Sequence, residues 1–257
     1  MSIPKSDWKL FVAEAIGTGL LLFFGLSIVI FNLGEGSVIV KLIPTEWPRR
    51  ILTGFMFGLV GCLVTISPVG KISGAHINPA VTLAFWLRGK IKYDTMIGYV
   101  LSQLIGGVIG CVPLLAWGKQ GQSLQYGITL PGDAGLTAAF IGEVIATSCL
   151  IIYLYLFIGT KRLRNYTPYG IPFLYAILTW TEASFSGCST NPARSFAPAL
   201  IAGNFTDHLV YWIAPVVGVI LVSLFFRWRR INRIYKMESA RVSYHDHPTS
   251  PSLQTGS

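Results

Sequence analysis

The residues from Ser73 to Ala84, Ser-Gly-Ala-His-Ile-Asn-Pro-Ala-Val-Thr-Leu-Ala, return from Ser186 to Ala197 as Ser-Gly-Cys-Ser-Thr-Asn-Pro-Ala-Arg-Ser-Phe-Ala. Six of these twelve aligned positions are identical. Asn is a strong helix N-cap, and Pro suits the first helical position because the amide it lacks would be unpaired there. Each copy therefore predicts a loop, a cap at Asn78 or Asn191, and the start of a helix. The duplication is wider than the motif: Ala13-Glu14-Ala15-Ile16-Gly17-Thr18 matches Gly142-Glu143-Val144-Ile145-Ala146-Thr147.

Both copies lie between very apolar segments. The 257 residues are 52% hydrophobic and 12% charged, against roughly 25% charged in soluble domains. That deficit indicates a membrane protein. Crossing the hydrocarbon takes about 20 residues, and six stretches qualify: 9–32, 49–67, 94–117, 136–158, 169–185 and 209–227. The run from Leu10 to Phe31 is too long for a signal-peptide core and reads as a retained first span. In the fifth stretch Pro172 is expected to mark an early turn. Residues 78–88 and 191–202 are apolar but too short to span. At 1.5 Å per residue each covers about half of a 30 Å core. Non-helical backbone at that depth is tolerated only where protein buries it or a wet cavity lines it.

Three spans and one half-helix in each repeat place the two halves in opposite orientations. Such an inverted repeat puts its site near the midplane, between the halves. The expected fold is an all-α membrane protein of six transmembrane helices and two re-entrant half-helices. Residues 1–228 form one channel domain, with repeat halves at about 8–117 and 134–228, and residues 229–257 read as a disordered tail. Of the 20 Lys and Arg residues, 15 fall on one side; Lys41, Arg49, Arg50, Lys119 and Arg194 fall on the other. This bias predicts a multi-pass protein of a cell membrane, plasma or inner, with both termini cytoplasmic. It also explains the net charge of +9 without a nucleic-acid partner. Gly54 with Gly58 and Gly106 with Gly110 have the spacing of close helix packing. Trp8, Trp47, Trp117 and Trp228 suit the membrane interfaces.

The cysteines Cys62, Cys111, Cys149 and Cys188 have neither disulfide nor metal-ligand spacing. His245 and His247 sit in the polar tail, where a solvated role outweighs a metal site. No metal or cofactor is expected. No nucleophile and base pair up, so an enzyme is not expected either.

Two half-helices meeting N-terminus to N-terminus concentrate positive dipole at mid-membrane. Asn78 and Asn191 would add amide donors there. The carbonyls of Gly74, Ala75 and His76, and of Gly187, Cys188 and Ser189, would supply acceptors along the two mouths. Such a track suits water and small polar neutral molecules and repels cations. Arg194 is a cation within the membrane, which is a functional hypothesis by default; the bland reading is a salt-bridged vestibule residue. The first copy has Val81 at that position, and one Arg suffices in one lumen. Glu14 and Glu143 read either as a proton relay or, better, as acceptors that hold the re-entrant loops. His76 is either a gate or a hydrogen-bonded packing residue. Glu182 has no counterpart in the first half, and lining the outer vestibule or pairing with a base both remain open.

On these residues the chain resembles the major intrinsic protein family, the aquaporins and aquaglyceroporins, over roughly residues 8–228. The resemblance implies a homotetramer with one pore per subunit. It implies a constriction formed by Phe57, Thr179, Cys188 and Arg194. Phe57 stands one residue further from Asn78 than the family pattern, which an extra loop residue near Pro68 would explain. Thr179, with Trp180 adjacent, falls where water-selective members carry His. That departure leaves a wider opening with one donor fewer. Ser195, Ala199 and the pair Tyr211-Trp212 resemble the water-channel branch. The expectation is a passive water channel. The alternatives are a facilitator of small neutral solutes (glycerol, urea, ammonia, hydrogen peroxide) and an ion-coupled secondary transporter. A structural junction protein would show no permeability.

Overall fold

The structure is a computed structural model that describes residues 8–227. Expectations for Trp228, His245, His247 and the tail lie outside the described residues. The fold is all helical. The first half runs α1 (Trp8–Leu33), α2 (Val38–Leu42), α3 (Glu46–Ile66), α4 (Pro68–Ser73), α5 (Pro79–Leu87) and α6 (Tyr93–Cys111). A short α7 (Gly118–Ser123) leads to the second half: α8 (Gly135–Gly159), α9 (Thr167–Ser186), α10 (Pro192–Ala202) and α11 (Val210–Arg227). The matching elements are α1 with α8, α3 with α9, α5 with α10, and α6 with α11.

Among the described residues five helices are long and apolar enough to cross a membrane: α1, α3, α6 with its continuation to Ser123, α8 and α11. The sixth crossing, α9, has 20 residues but a more polar composition, with Thr179, Thr181 and Glu182 in its second half. It starts at Thr167 with Pro168 in its first turn, so Pro172 lies inside the helix rather than at its opening. The third span stops as an α-helix at Cys111 and tightens to a 3-10 helix over Val112–Trp117, where Pro113 removes one amide. Around Pro68 the chain forms α4, whose start is capped by Ser67 Oγ accepting from the Gly70 amide.

The halves are pinned where backbones touch. Helix α6 packs against α1, α11 against α8, and α3 crosses to α9 of the other half. A Cβ at Gly106 would lie 2.0 Å from the Ala15 carbonyl oxygen, and one at Gly54 would lie 2.3 Å from that of Tyr175. No side chain other than hydrogen fits at either position, which is the close approach expected of small residues at membrane helix crossings. Each half-helix also leans on the last span of the opposite half, α5 on α11 and α10 on α6. Ala84 and Phe85 of α5 sit in one core with Leu150, Ile151 and Tyr155 of α8 and Val219 and Phe226 of α11. The second core joins Leu22, Leu26 and Ile30 of α1 to Cys111, Leu114 and Ala197. Large apolar side chains such as Ile16, Leu20, Ile105, Ile109, Ile145 and Leu221 face outward, as helices bathed in lipid or partner subunits require.

Candidate functional site

The two repeated motifs fold alike. Gly74 closes α4 and Gly187 closes α9, with φ of 92° and 82°, a left-handed conformation open to glycine at no steric cost. The following residues alternate. Ala75 and Cys188 have φ of 48° and 53°, and Ile77 and Thr190 have 43° and 53°. Each such residue costs roughly 1–2 kcal/mol, so something must hold the loops in place.

Two buried carboxylates do so. Glu14 of α1 accepts from the His76 amide at 2.9 Å, the Ile77 amide at 2.7 Å and Gln103 Nε2 at 2.7 Å. Glu143 of α8 accepts from the Ser189 amide at 2.6 Å, the Thr190 amide at 2.8 Å and Ser186 Oγ at 2.6 Å. Each carboxylate thus takes two loop amides and a motif serine, Ser73 beside Glu14 and Ser186 on Glu143, and Glu14 has Gln103 in addition. Gln103 also donates to Thr82 Oγ1, which in turn donates to the Asn78 carbonyl.

The loops end at the caps. Asn78 Oδ1 accepts from the Ala80 amide at 2.8 Å, and Asn191 Oδ1 accepts from the Ala193 and Arg194 amides at 3.0 and 3.3 Å. The amide nitrogens reach across the repeat axis. Asn78 Nδ2 donates to the Thr190 carbonyl at 2.9 Å, and Asn191 Nδ2 donates to the Ile77 carbonyl at 3.0 Å. One hydrogen of each NH2 group is thereby committed to the opposite loop, leaving the other for the lumen. Both Asn residues line a cavity that also receives Gly74, Ala75, His76 and Phe57. His76 is buried between the Phe85 and Tyr99 rings, with Nδ1 3.3 Å from Thr82 Oγ1. That environment matches the packing reading of this histidine.

A second cavity lies beyond, lined by Thr179, Gly187, Cys188 and Arg194, with Phe57 and Tyr175 common to both. The Arg194 side chain is buried. Its Nη1 donates to the Gly127 carbonyl at 2.6 Å, and its guanidinium carbon stands 5.9 Å from the Phe57 ring centre. The Thr179 hydroxyl is turned toward backbone, with the carbonyls of Tyr175 at 2.8 Å and Arg50 at 3.0 Å as acceptors. Trp180 is 52% exposed and lines neither cavity. Ser189 also lines neither; its hydroxyl donates to the Asn191 carbonyl and its oxygen lies near Ser195 Oγ.

Several residues escaped the sequence reading. Tyr175, one helical turn before Thr179, stands 6.1 Å from the Phe57 ring and shares a 2.8 Å hydrogen bond with Thr190 Oγ1. Its spacing from Thr179 was the available signal. Gln103 and Gly127 act across tertiary contacts and leave no local signature, while Ser186 was marked as an identical motif position without a role.

Six spanning helices folded around two opposed, cross-braced half-helices, with cavities at either side of their meeting point, define an inverted-repeat membrane channel fold. The chain belongs to the major intrinsic protein family, whose sequence model matches residues 2–226. It is 34% identical to aquaporin-2 of Bos taurus over 84% of this chain and 77% of that one. It is 31% identical to aquaporin-5 of Rattus norvegicus over 93% of this chain and 84% of that one. The aquaglyceroporin of Plasmodium falciparum shares the fold, with a TM-score of 0.73 at 21% identity, covering 89% of this chain and 98% of that one.

Proposed function

We propose that this chain is a passive water channel that excludes protons and ions, with Asn78 and Asn191 at the pore midplane and Phe57, Thr179, Cys188 and Arg194 at an outer constriction. The observation that carries it is the reciprocal bracing of the two caps, Asn78 to the Thr190 carbonyl and Asn191 to the Ile77 carbonyl. It supports two half-helix N-termini fixed face to face at one level. Each carries roughly half a positive charge. At 4 Å and an effective dielectric of 20, each opposes a proton by roughly 2 kcal/mol. Arg194 adds a full charge at the second narrowing. This is the logic by which aquaporin-type pores are understood to select, applied to these residues. A water between the caps accepts from both amides and turns its own hydrogens away, which breaks proton hopping.

A second reading, facilitated passage of small neutral solutes, rests on Thr179. Its hydroxyl is occupied by backbone carbonyls, so this wall offers a solute no donor and a short side chain. The relatives that bear aquaporin names support channel over enzyme or coupled transporter. Glu14 and Glu143 are engaged by loop amides, which argues against their shuttling a coupling ion. The pore is expected in each subunit of a homotetramer in a cell membrane with both termini cytoplasmic.

Reconstituted vesicles loaded with a pH-sensitive dye test the proposal. Osmotic shrinkage well above that of empty vesicles, with no added proton leak and no dependence on an ion gradient, is expected. Proton leak that rises with protein content, or solute accumulation driven by a cation gradient, would overturn it.

A further inference from the structure

Among the described residues, Glu182 is the one buried carboxylate to which the pore gives no task. It is 6% exposed, on α9, and nothing in the first half corresponds to it. Its Oε1 stands 2.5 Å from Ser186 Oγ, and its Oε2 makes no hydrogen bond, with Cys188 adjacent. The backbone of α8 is hollowed to receive it: a Cβ at Gly142 would lie 2.4 Å from Glu182 Oε1. The equivalent residue of the first half, Ala13, has its Cβ and faces no such carboxylate.

Ser186 Oγ touches three groups. They are Glu143 Oε1 at 2.6 Å, Glu182 Oε1 at 2.5 Å and the Cys188 amide at 3.2 Å. A hydroxyl has one proton and two acceptor sites. The Cys188 amide fills one acceptor site. The hydroxyl proton can serve one carboxylate, so the other short contact needs a proton of its own. Glu143 already takes two backbone amides and is the anion. Glu182 has the Cys188 amide and thiol beside it but no second loop amide.

We propose that Glu182 is a positioning residue of the pore: as the neutral acid it donates to Ser186 Oγ, which thereby keeps its own proton on Glu143 and holds the Cys188–Thr190 segment in its pore-lining shape. In this arrangement every valence of Ser186 is used. Ser73, the first-half counterpart of Ser186, likewise accepts the Ala75 amide and lies on its carboxylate Glu14, which has Gln103 as a further donor. Loss of the Glu182 proton would set two carboxylates on either side of one hydroxyl, and one of the two short contacts would become a repulsion. Other titratable groups around the relay are few. They are Glu143 on α8, Tyr211 on α11, whose hydroxyl donates to the Ser186 carbonyl at 2.9 Å, Cys188 in the loop, and Arg194 near Glu143. Helix α3 brings Arg50, which pairs with Glu46 at 2.7 Å.

The proposal rests on the pore reading only for its consequence, so two measurements separate the two ideas. Infrared spectra of the full chain in vesicles at neutral pH should show a protonated-carboxyl stretch that disappears in Glu182→Gln. Its survival in that variant, or its absence from the wild type, overturns the proposal whether or not water passes. Raising the pH until the infrared carboxyl band is lost should lower the osmotic water permeability of the wild type about twofold or more. Glu182→Gln cannot ionise, so its permeability should hold one value over the same range, whatever its absolute level. Identical pH profiles overturn the proposal; an absence of water flux at every pH overturns the channel reading and leaves the infrared result to decide. Should Glu182→Gln fail to fold, Ser186→Ala removes the acceptor instead. The carboxyl band should then move in frequency, and an unmoved band contradicts the relay.

Discussion

Arg194 illustrates how much a single residue is asked to do. Its Nη1 is tied to the Gly127 carbonyl, so the guanidinium is held against the second cavity rather than free to swing away. A fixed cation costs nothing further to orient when a solute arrives. Arg194→Ala should widen the range of solutes and raise proton and urea flux by roughly tenfold, equivalent to about 1.4 kcal/mol of barrier. Unchanged urea and proton flux in a well-folded variant would count against the constriction. Cys188 lines the same cavity as a free thiol. Mercurials should therefore block water flux in the wild type and not in Cys188→Ser, whereas persistent block in that variant would move the sensitive site to Cys62, Cys111 or Cys149. At this scale the sequence was legible where the motif itself names the residue. Asn78, Asn191 and Arg194 follow from the capping chemistry and from a lone cation in an apolar run. Tyr175 and Gln103 did not, because their partners lie 15 and 89 positions away and only the folded chain brings them together.

At the scale of elements, the helix crossings are set by backbone contact rather than by bulky side chains. Between apolar helices in lipid, close packing replaces the hydrophobic drive that joins helices in water. Gly106 meets the Ala15 carbonyl and Gly110 the Gly19 carbonyl, so neither neighbour can yield by rotating a side chain. Gly106→Ala should cost about 1–3 kcal/mol of stability, read as a lower midpoint of thermal unfolding in detergent; an unchanged midpoint would show that α1 and α6 can separate freely. These crossings were readable as Gly pairs four residues apart, and the half-helices as apolar runs of half the spanning length. The limits of the spans were less so. Hydropathy carries no information on where an α-helix tightens into a 3-10 turn, as it does after Cys111, or on a helix continuing past Pro172.

Over the whole molecule, the inverted repeat is followed closely by the loops and less closely by what supports them. Glu14 and Glu143 have equivalent amide and serine partners, Ser73 and Ser186, while Gln103 is added on one side and Glu182 on the other. The two cavities are therefore chemically distinct, with His76 by the first and Arg194, Cys188 and Thr179 by the second. The outward apolar surface of α1, α6, α8 and α11 is available to lipid and to subunits alike. Cross-linking in native membranes should give a ladder ending at four chains, and one ending at a single chain would contradict the expected tetramer. The central claim, water passage at a constriction that lacks a donor at Thr179, is tested most directly by stopped-flow light scattering on reconstituted vesicles under matched sucrose and glycerol gradients. Fast shrinkage in both, without re-swelling in glycerol, is the predicted result. Rapid re-swelling in glycerol would contradict it and make this chain a facilitator of small neutral solutes.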